Sequence, residues 1–339
     1  MIKRSFLVGI MFLYVLICFG SNNRKSKKII VAYVTSWTTA IPNPRYVTHI
    51  NYAFGHVNET FDGVKIDNEG RLKEIVSLKA THTGLKILLS IGGWGSGRFS
   101  EMAANKDNRK KFAGDCARIV KEFNLDGIDI DWEYPTSKAG GISASPDDTR
   151  NFTWLMKDIR KSIGKKKLLT LASVISGQYI DFAAIKKQVD FVNIMAYDAG
   201  GPPKHHAALY QSEMTGWGSG YEAVKAHNRA GMPSTKLVLG IPFYGRGNKT
   251  DIKGFVHYRD LIKLEGFERK WDPVALVPYL VNAAGEFVCS FESPESIAIK
   301  GNFIRENKLL GAMYWEHAGD TDDQILGKAI FNSLISGSR

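Results

Sequence analysis

The chain has 339 residues, 44% hydrophobic and 23% charged, with three cysteines. That balance supports a sizeable core and excludes a disordered or collagen-like chain, and so few cysteines exclude a disulfide scaffold. The net charge is +11, but the basic residues sit in small scattered groups (Arg109 to Lys111, Lys165 to Lys167, Lys186 to Lys187) without interleaved aromatics, which argues against a nucleic-acid partner.

At the N-terminus Lys3 and Arg4 precede an apolar run from Phe6 to Phe19. The run is shorter than the roughly 20 residues a spanning helix needs, and a polar stretch, Ser21 to Lys28, follows it. The pattern predicts an export signal peptide over residues 1-20 and a secreted protein. A second reading makes Cys18, after Val15-Leu16-Ile17, a lipid-anchored residue and places the protein at the cell surface, its one route to a membrane. The large Ile17 counts against that reading. Without Cys18, Cys116 and Cys289 remain, either paired or both free.

Short β-rich apolar runs follow in order: Ile29–Val34, His49–Phe54, Lys86–Ile91, Gly127–Trp132, Leu168–Val174, Phe191–Met195, Leu237–Ile241 and Gly311–Trp315. Near-continuous apolar runs suit strands buried on both faces of a parallel sheet. Helical periodicity lies between several of them. Arg109–Phe123 spaces Phe112, Cys116, Ile119, Val120 and Phe123 by three and four, and Asp147–Ile163 begins with Asp147 or Asp148 as an N-cap. Eight strands alternating with helices predict an α/β fold, a (β/α)8 TIM barrel. Residues 27-246 and 306-337 are assigned to it. Residues 247-305, with the strand-like run Glu286–Phe291, are read as a small α+β insertion between strands seven and eight. Trp154 and Trp271 are expected in core and insertion packing.

The informative segment is Asp126-Gly127-Ile128-Asp129-Ile130-Asp131-Trp132-Glu133-Tyr134-Pro135. Side chains alternate faces along a strand, so Asp129, Asp131 and Glu133 share one face while Ile128, Ile130 and Trp132 take the helix-layer face. Stacked inside a barrel, three carboxyl groups cannot all ionise cheaply, and at least one must hold its proton near neutral pH. That makes a general acid. A structural hydrogen-bond network or a metal site would use the same residue types. Metal-binding barrels, however, spread ligands over several strand ends, and no matching Asp/Glu/His set appears there. His49 and His56, on either side of strand two, are read as structural.

These acidic residues match the D-x-x-D-x-D-x-E signature of the family 18 glycoside hydrolases, the chitinases and their relatives, which the chain resembles over most of its length. Ser90-Ile91-Gly92-Gly93-Trp94, Met195-Ala196-Tyr197-Asp198, Gly240 to Arg246, and Gly311 to Glu316 resemble the ends of that family's strands three, six, seven and eight. Tyr33, Trp37 and Phe54 also match. The sequence after Arg246 resembles the α+β insertion of one chitinase subgroup. Strand five ends Ala172-Ser173-Val174-Ile175, without the proline many relatives carry.

The resemblance implies a retaining, substrate-assisted mechanism. Glu133 protonates the glycosidic oxygen, and the substrate's acetamido oxygen attacks to give an oxazolinium ion. Asp131 orients the acetamide and stabilises positive charge, Asp129 shares a proton with Asp131, and Tyr197 donates to the acetamide carbonyl. Asp198 supports the same sugar. Trp315 forms the floor, with Trp94, Trp37 and Trp217 as flanking platforms. Met195, Gly93, Tyr33, Phe54 and Tyr244 complete the binding set; Arg246 either pairs with a site carboxylate or touches substrate. No cofactor or metal is implied. The expected ligand is chitin or another N-acetylglucosamine-containing glycan, and a monomer is the default. Two rivals share the scaffold: an endo-β-N-acetylglucosaminidase acting on N-glycans or peptidoglycan, and a non-catalytic chitin-binding lectin.

Overall fold

The computed structural model describes residues 27–336. The expected export signal and Cys18 lie outside the described residues. Eight parallel strands form the barrel: β1 (Ile29–Thr35), β2 (His49–Val57), β3 (Lys86–Gly92), β4 (Gly127–Asp131), β5 (Leu168–Val174), β6 (Phe191–Met195), β7 (Leu237–Pro242) and β8 (Gly311–Trp315). Neighbours in sequence are neighbours in space, β8 pairs with β1, and β1 pairs with β2, so the sheet closes. A short strand, Val64–Ile66, adds antiparallel to the end of β2. The eight apolar runs of the sequence are these strands, buried almost throughout.

Two cores follow from the period-two alternation. The larger lies between sheet and helices: Ile128, Ile130, Leu169, Leu171, Val192 and Ile194 meet Phe112, Cys116 and Ile119 of helix Lys106–Glu122 and Phe152, Leu155 and Ile159 of helix Asp148–Ile163. Each such side chain contributes about 1.5–3 kcal/mol on burial. The smaller core, which includes Val31, Tyr33, Phe191, Val238 and Met313, fills the inside of the barrel. Asn51, Ser90, Asp129, Thr170 and Asn193, one from each of five neighbouring strands, are also fully buried.

Helix Lys106–Glu122 is capped by Asn105, whose side chain accepts from the backbone of Asp107 and Asn108. At helix Asp148–Ile163, Asp147 stands at the N-cap without a side-chain bond. Asp148 instead accepts from Ser145 N at 2.7 Å, Thr136 N at 3.2 Å and Ser100 Oγ at 2.8 Å. That carboxylate fastens the loop that follows β4. Trp154 is 39% exposed, not core, with the Arg109 and Arg150 guanidinium groups each 5.1 Å from its ring. It falls outside the buried stripe of Phe152, Leu155, Met156 and Ile159.

A second, antiparallel sheet stands between β7 and β8, ordered Val256–His257, Tyr244–Gly247, Phe287–Ser290, Val277–Val281, Glu268–Asp272. It begins at Tyr244, two residues past β7. Half-buried Trp271 lies on its outer strand, opposite Pro278. Helix Pro294–Glu306, which the sequence placed in the insertion, packs against helix Ile325–Leu334 in the outer layer of the barrel. Cys116 and Cys289 are both buried and free.

Candidate active site

The C-terminal ends of the strands open into a cleft of about 790 Å³. Its chemistry starts on β4. Asp129 is fully buried and is held by four donors: Tyr33 Oη and Ser90 Oγ on Oδ2 (2.8 Å each), and Thr170 Oγ1 and Asn193 Nδ2 (3.2 Å) on Oδ1. Burial raises its pKa, and these hydrogen bonds oppose the rise. Asp131, at the strand's end, is buried; its backbone carbonyl accepts from Gly93 N at 2.9 Å, but its side-chain Oδ1 is enclosed without a partner among the described residues. Its pKa is pushed well above the usual carboxylate range by burial and by the charges of Glu133 and Asp129. The expected hydrogen bond between Asp129 and Asp131 is not formed, because Asp129's oxygens are taken by the four donors. An enclosed carboxyl group without a partner marks a place where stability was not the governing demand.

Glu133 lies two residues beyond the strand, half-buried at the cleft wall. Burial lifts its pKa to about 7; the Tyr134 hydrogen bond opposes the rise and the Asp198 charge adds to it. Tyr134 Oη donates to Glu133 Oε2 at 2.9 Å. Trp132 points the other way, stacked on Phe99 at 5.3 Å.

The neighbouring strand ends supply the walls. Gly92 and Gly93 both have positive φ. A Cβ on Gly92 would lie 2.0 Å from the Asp131 carbonyl oxygen, and one on Gly93 would lie 2.7 Å from the Phe54 ring, so only glycine lets β3 pass this close. Phe54 stacks on Trp315 at 5.7 Å and 21°, and Tyr33 meets the same indole at 5.7 Å. Trp315 thus has a fixed ring at the base of the cleft. Tyr197 is nearly buried and its hydroxyl points toward Met313 Sδ at 3.9 Å. Arg246 grips Asp198 with both arms, Nε to Oδ1 at 2.7 Å and Nη2 to Oδ2 at 2.6 Å. Burial would raise the Asp198 pKa, but His206 and Arg246 outweigh it and hold the carboxyl well below its usual range. The site therefore sets a carboxyl that keeps its proton near neutral pH close to one that stays ionised, a division of acid–base roles.

Asp131, Glu133, Tyr33, Phe54, Met195, Tyr197, Asp198, Tyr244, Arg246, Trp94 and Trp315 line one cleft, with Trp37 and Trp217. Trp37, Trp94 and Trp217 are each more than 60% exposed at its rim. Asp129 and Gly93 stand behind the wall. The structure adds Tyr134, Tyr179 and Phe255. Tyr179 stacks on Tyr134 at 5.4 Å and 15°. Tyr134 was in view next to the acidic strand; Tyr179, in the loop after β5, carries no sequence signal.

The sequence model of the glycosyl hydrolases family 18 matches residues 29–320. Chitinase A1 of Niallia circulans is 31% identical over 392 residues, covering 88% of this chain and 56% of that protein, so the chain spans little more than half of that relative. Chitotriosidase-1 of Mus musculus is 30% identical, covering 84% of this chain and 72% of the mouse protein. A solved family 18 N-acetylglucosaminidase of Paenibacillus barengoltzii superposes with a TM-score of 0.82 at 32% identity, covering 91% of this chain and 100% of that one. Barrel, acidic strand and cleft aromatics agree with these likenesses: the chain belongs to the glycosyl hydrolases of family 18.

Proposed function

We propose that this protein is an exported chitinase that cleaves β-1,4 links next to N-acetylglucosamine in chitin or chito-oligosaccharides. The observation that carries the reading is Glu133, a carboxyl protonated up to about pH 7 on the wall of a cleft floored by Trp315. Glu133 donates its proton to the glycosidic oxygen. The substrate's acetamido oxygen attacks the anomeric carbon from the opposite face, which retains configuration after hydrolysis of the oxazolinium ion. Asp131, whose Oδ1 meets no partner among the described residues, is available to take the acetamide N–H and, once ionised, to stabilise positive charge. Tyr197 supplies its hydroxyl to the acetamide carbonyl. Glu133, now ionised, activates the water. Export rests on Lys3, Arg4 and the apolar run behind them.

The likeness to the Paenibacillus N-acetylglucosaminidase, which this chain spans completely, favours a second reading in which single sugars are removed from chain ends. Product analysis over time on N-acetylglucosamine tetramers and hexamers, wild type beside Glu133→Gln, separates the two. Disaccharide appearing first as the β-anomer supports the chitinase; monosaccharide from the first time point supports the end-acting enzyme. No cleavage by wild type overturns both and directs the search to glycoprotein or peptidoglycan, then to sugar binding without turnover. N-terminal sequencing of exported material tests removal of residues 1-20.

A further inference from the structure

Asp198 leaves β6 with a left-handed backbone, φ 58°, a conformation that persists only where the surroundings hold it. Arg246 is one holder. The other neighbour is His206, fully buried, with Nδ1 3.4 Å from Asp198 Oδ1. Neither ring nitrogen of His206 meets a hydrogen-bond partner among the described residues. Burying an imidazole with Nε2 unpartnered and Nδ1 held only by a long 3.4 Å contact is unfavourable, and an apolar ring would fill the same space without that penalty.

The backbone of His206 is fixed independently of its ring. Its N–H donates to Ser290 Oγ at 3.0 Å and its carbonyl accepts from Ala199 N at 3.0 Å. Ser290 pairs in register with Arg246 in the small sheet. The groups that meet the His206 ring are Asp198 and Tyr244, whose ring lies at 5.3 Å; Arg246 grips Asp198 on its own account, and the adjacent His205 turns away to Asp272 at 3.2 Å. Asp198 is thus bounded by two side chains that the small sheet seats, directly for Arg246 and through Ser290 for His206.

We propose that His206 is a positioning residue that closes onto Asp198 when sugar fills the cleft, fixing the carboxylate and making its orientation depend on how the small sheet is seated. Hydrogen bonds of a catalytic centre are often long in the empty protein and tighten when it is occupied, which is the state of this 3.4 Å contact. The assignment rests on the glycosidase reading above.

The test compares wild type, His206→Phe and His206→Gln. Phenylalanine fills the space without a donor; glutamine keeps one. On the N-acetylglucosamine tetramer, His206→Phe is expected to lose about tenfold or more in kcat, as small misplacements at a reacting centre do, with KM little changed. His206→Gln recovers most of the loss, and melting temperatures stay near wild type. Titration of the Asp198 carboxyl by carbon-13 NMR gives a readout that needs no substrate. A donor on the ionised carboxylate lowers its pKa, so the midpoint rises in His206→Phe and not in His206→Gln. Equal kcat in His206→Phe and wild type, or equal losses in both variants with lowered melting temperatures, overturns the assignment in favour of simple packing. If wild type cleaves no N-acetylglucosamine oligomer, the proposed function fails and the titration still decides: an unmoved midpoint in His206→Phe overturns the role, and a raised one supports it.

Discussion

Tyr134 donates its hydroxyl to Glu133 Oε2 at 2.9 Å, from the very next position in the chain. The bond favours the ionised carboxylate and so opposes the rise that burial imposes on Glu133. Removing it in Tyr134→Phe leaves burial less opposed, and the pKa climbs further above about 7. The acid form then persists to higher pH. The basic limb of the pH–rate profile is expected to move upward, measured as kcat/KM on a chito-oligosaccharide across neutral and alkaline buffers.

Glu133→Gln removes the acid and keeps the shape. Turnover should fall by about 10² to 10⁴ or more, the range general acid catalysis supplies, while the tetramer still binds. Calorimetric titration beside the hydrolysis assay checks both halves. Retained turnover would sink the assignment of Glu133.

The same substitution has a stability consequence of known sign. Glu133 is raised from 4.5 to about 7 in the folded protein, so the folded state keeps a proton that the unfolded chain has released. Wild type therefore loses stability relative to Glu133→Gln as pH rises through that window, by up to about 3 kcal/mol, and the gap is constant above it. Urea unfolding of both proteins below and above the window measures the difference.

Trp315 is held by Phe54 and Tyr33, whereas Trp94 is 65% exposed. A preorganised ring loses little freedom when a sugar stacks on it. In the Glu133→Gln background, Trp315→Ala should weaken tetramer binding by about tenfold or more, the loss expected of a central aromatic anchor, and Trp94→Ala by less.

Lys300 and Glu292 form an ion pair with side chains 2% and 0% exposed, and Lys300 Nζ also donates to the Ala207 carbonyl at 2.6 Å. The pair joins the end of the small sheet and a barrel helix to the loop after β6. Lys300→Met leaves a buried carboxylate uncompensated and should reduce unfolding free energy by about 3–5 kcal/mol. Adding Glu292→Gln should restore part of that loss, as read from urea midpoints.

The barrel and its acidic face were legible from sequence because both rest on local rules. Strands covered on two faces read as continuous apolar runs, and the two-residue repeat alone put Asp129, Asp131 and Glu133 on the face opposite Ile128 and Ile130. What the sequence could not supply lies in what the closed barrel brings together. Trp154 reads as apolar in the chain but misses its helix's buried stripe. The Asp148 carboxylate ties a loop, where sequence predicts a helix cap. Tyr179 reaches Tyr134 and Arg246 reaches Asp198 from segments far along the chain, while His206 turns back onto Asp198 from the loop after the same strand, β6. Strand patterning is written residue by residue, since each side chain meets the same kind of layer at every turn of the fold. Loop partners are set by the three-dimensional position of strand ends, and only barrel closure fixes that.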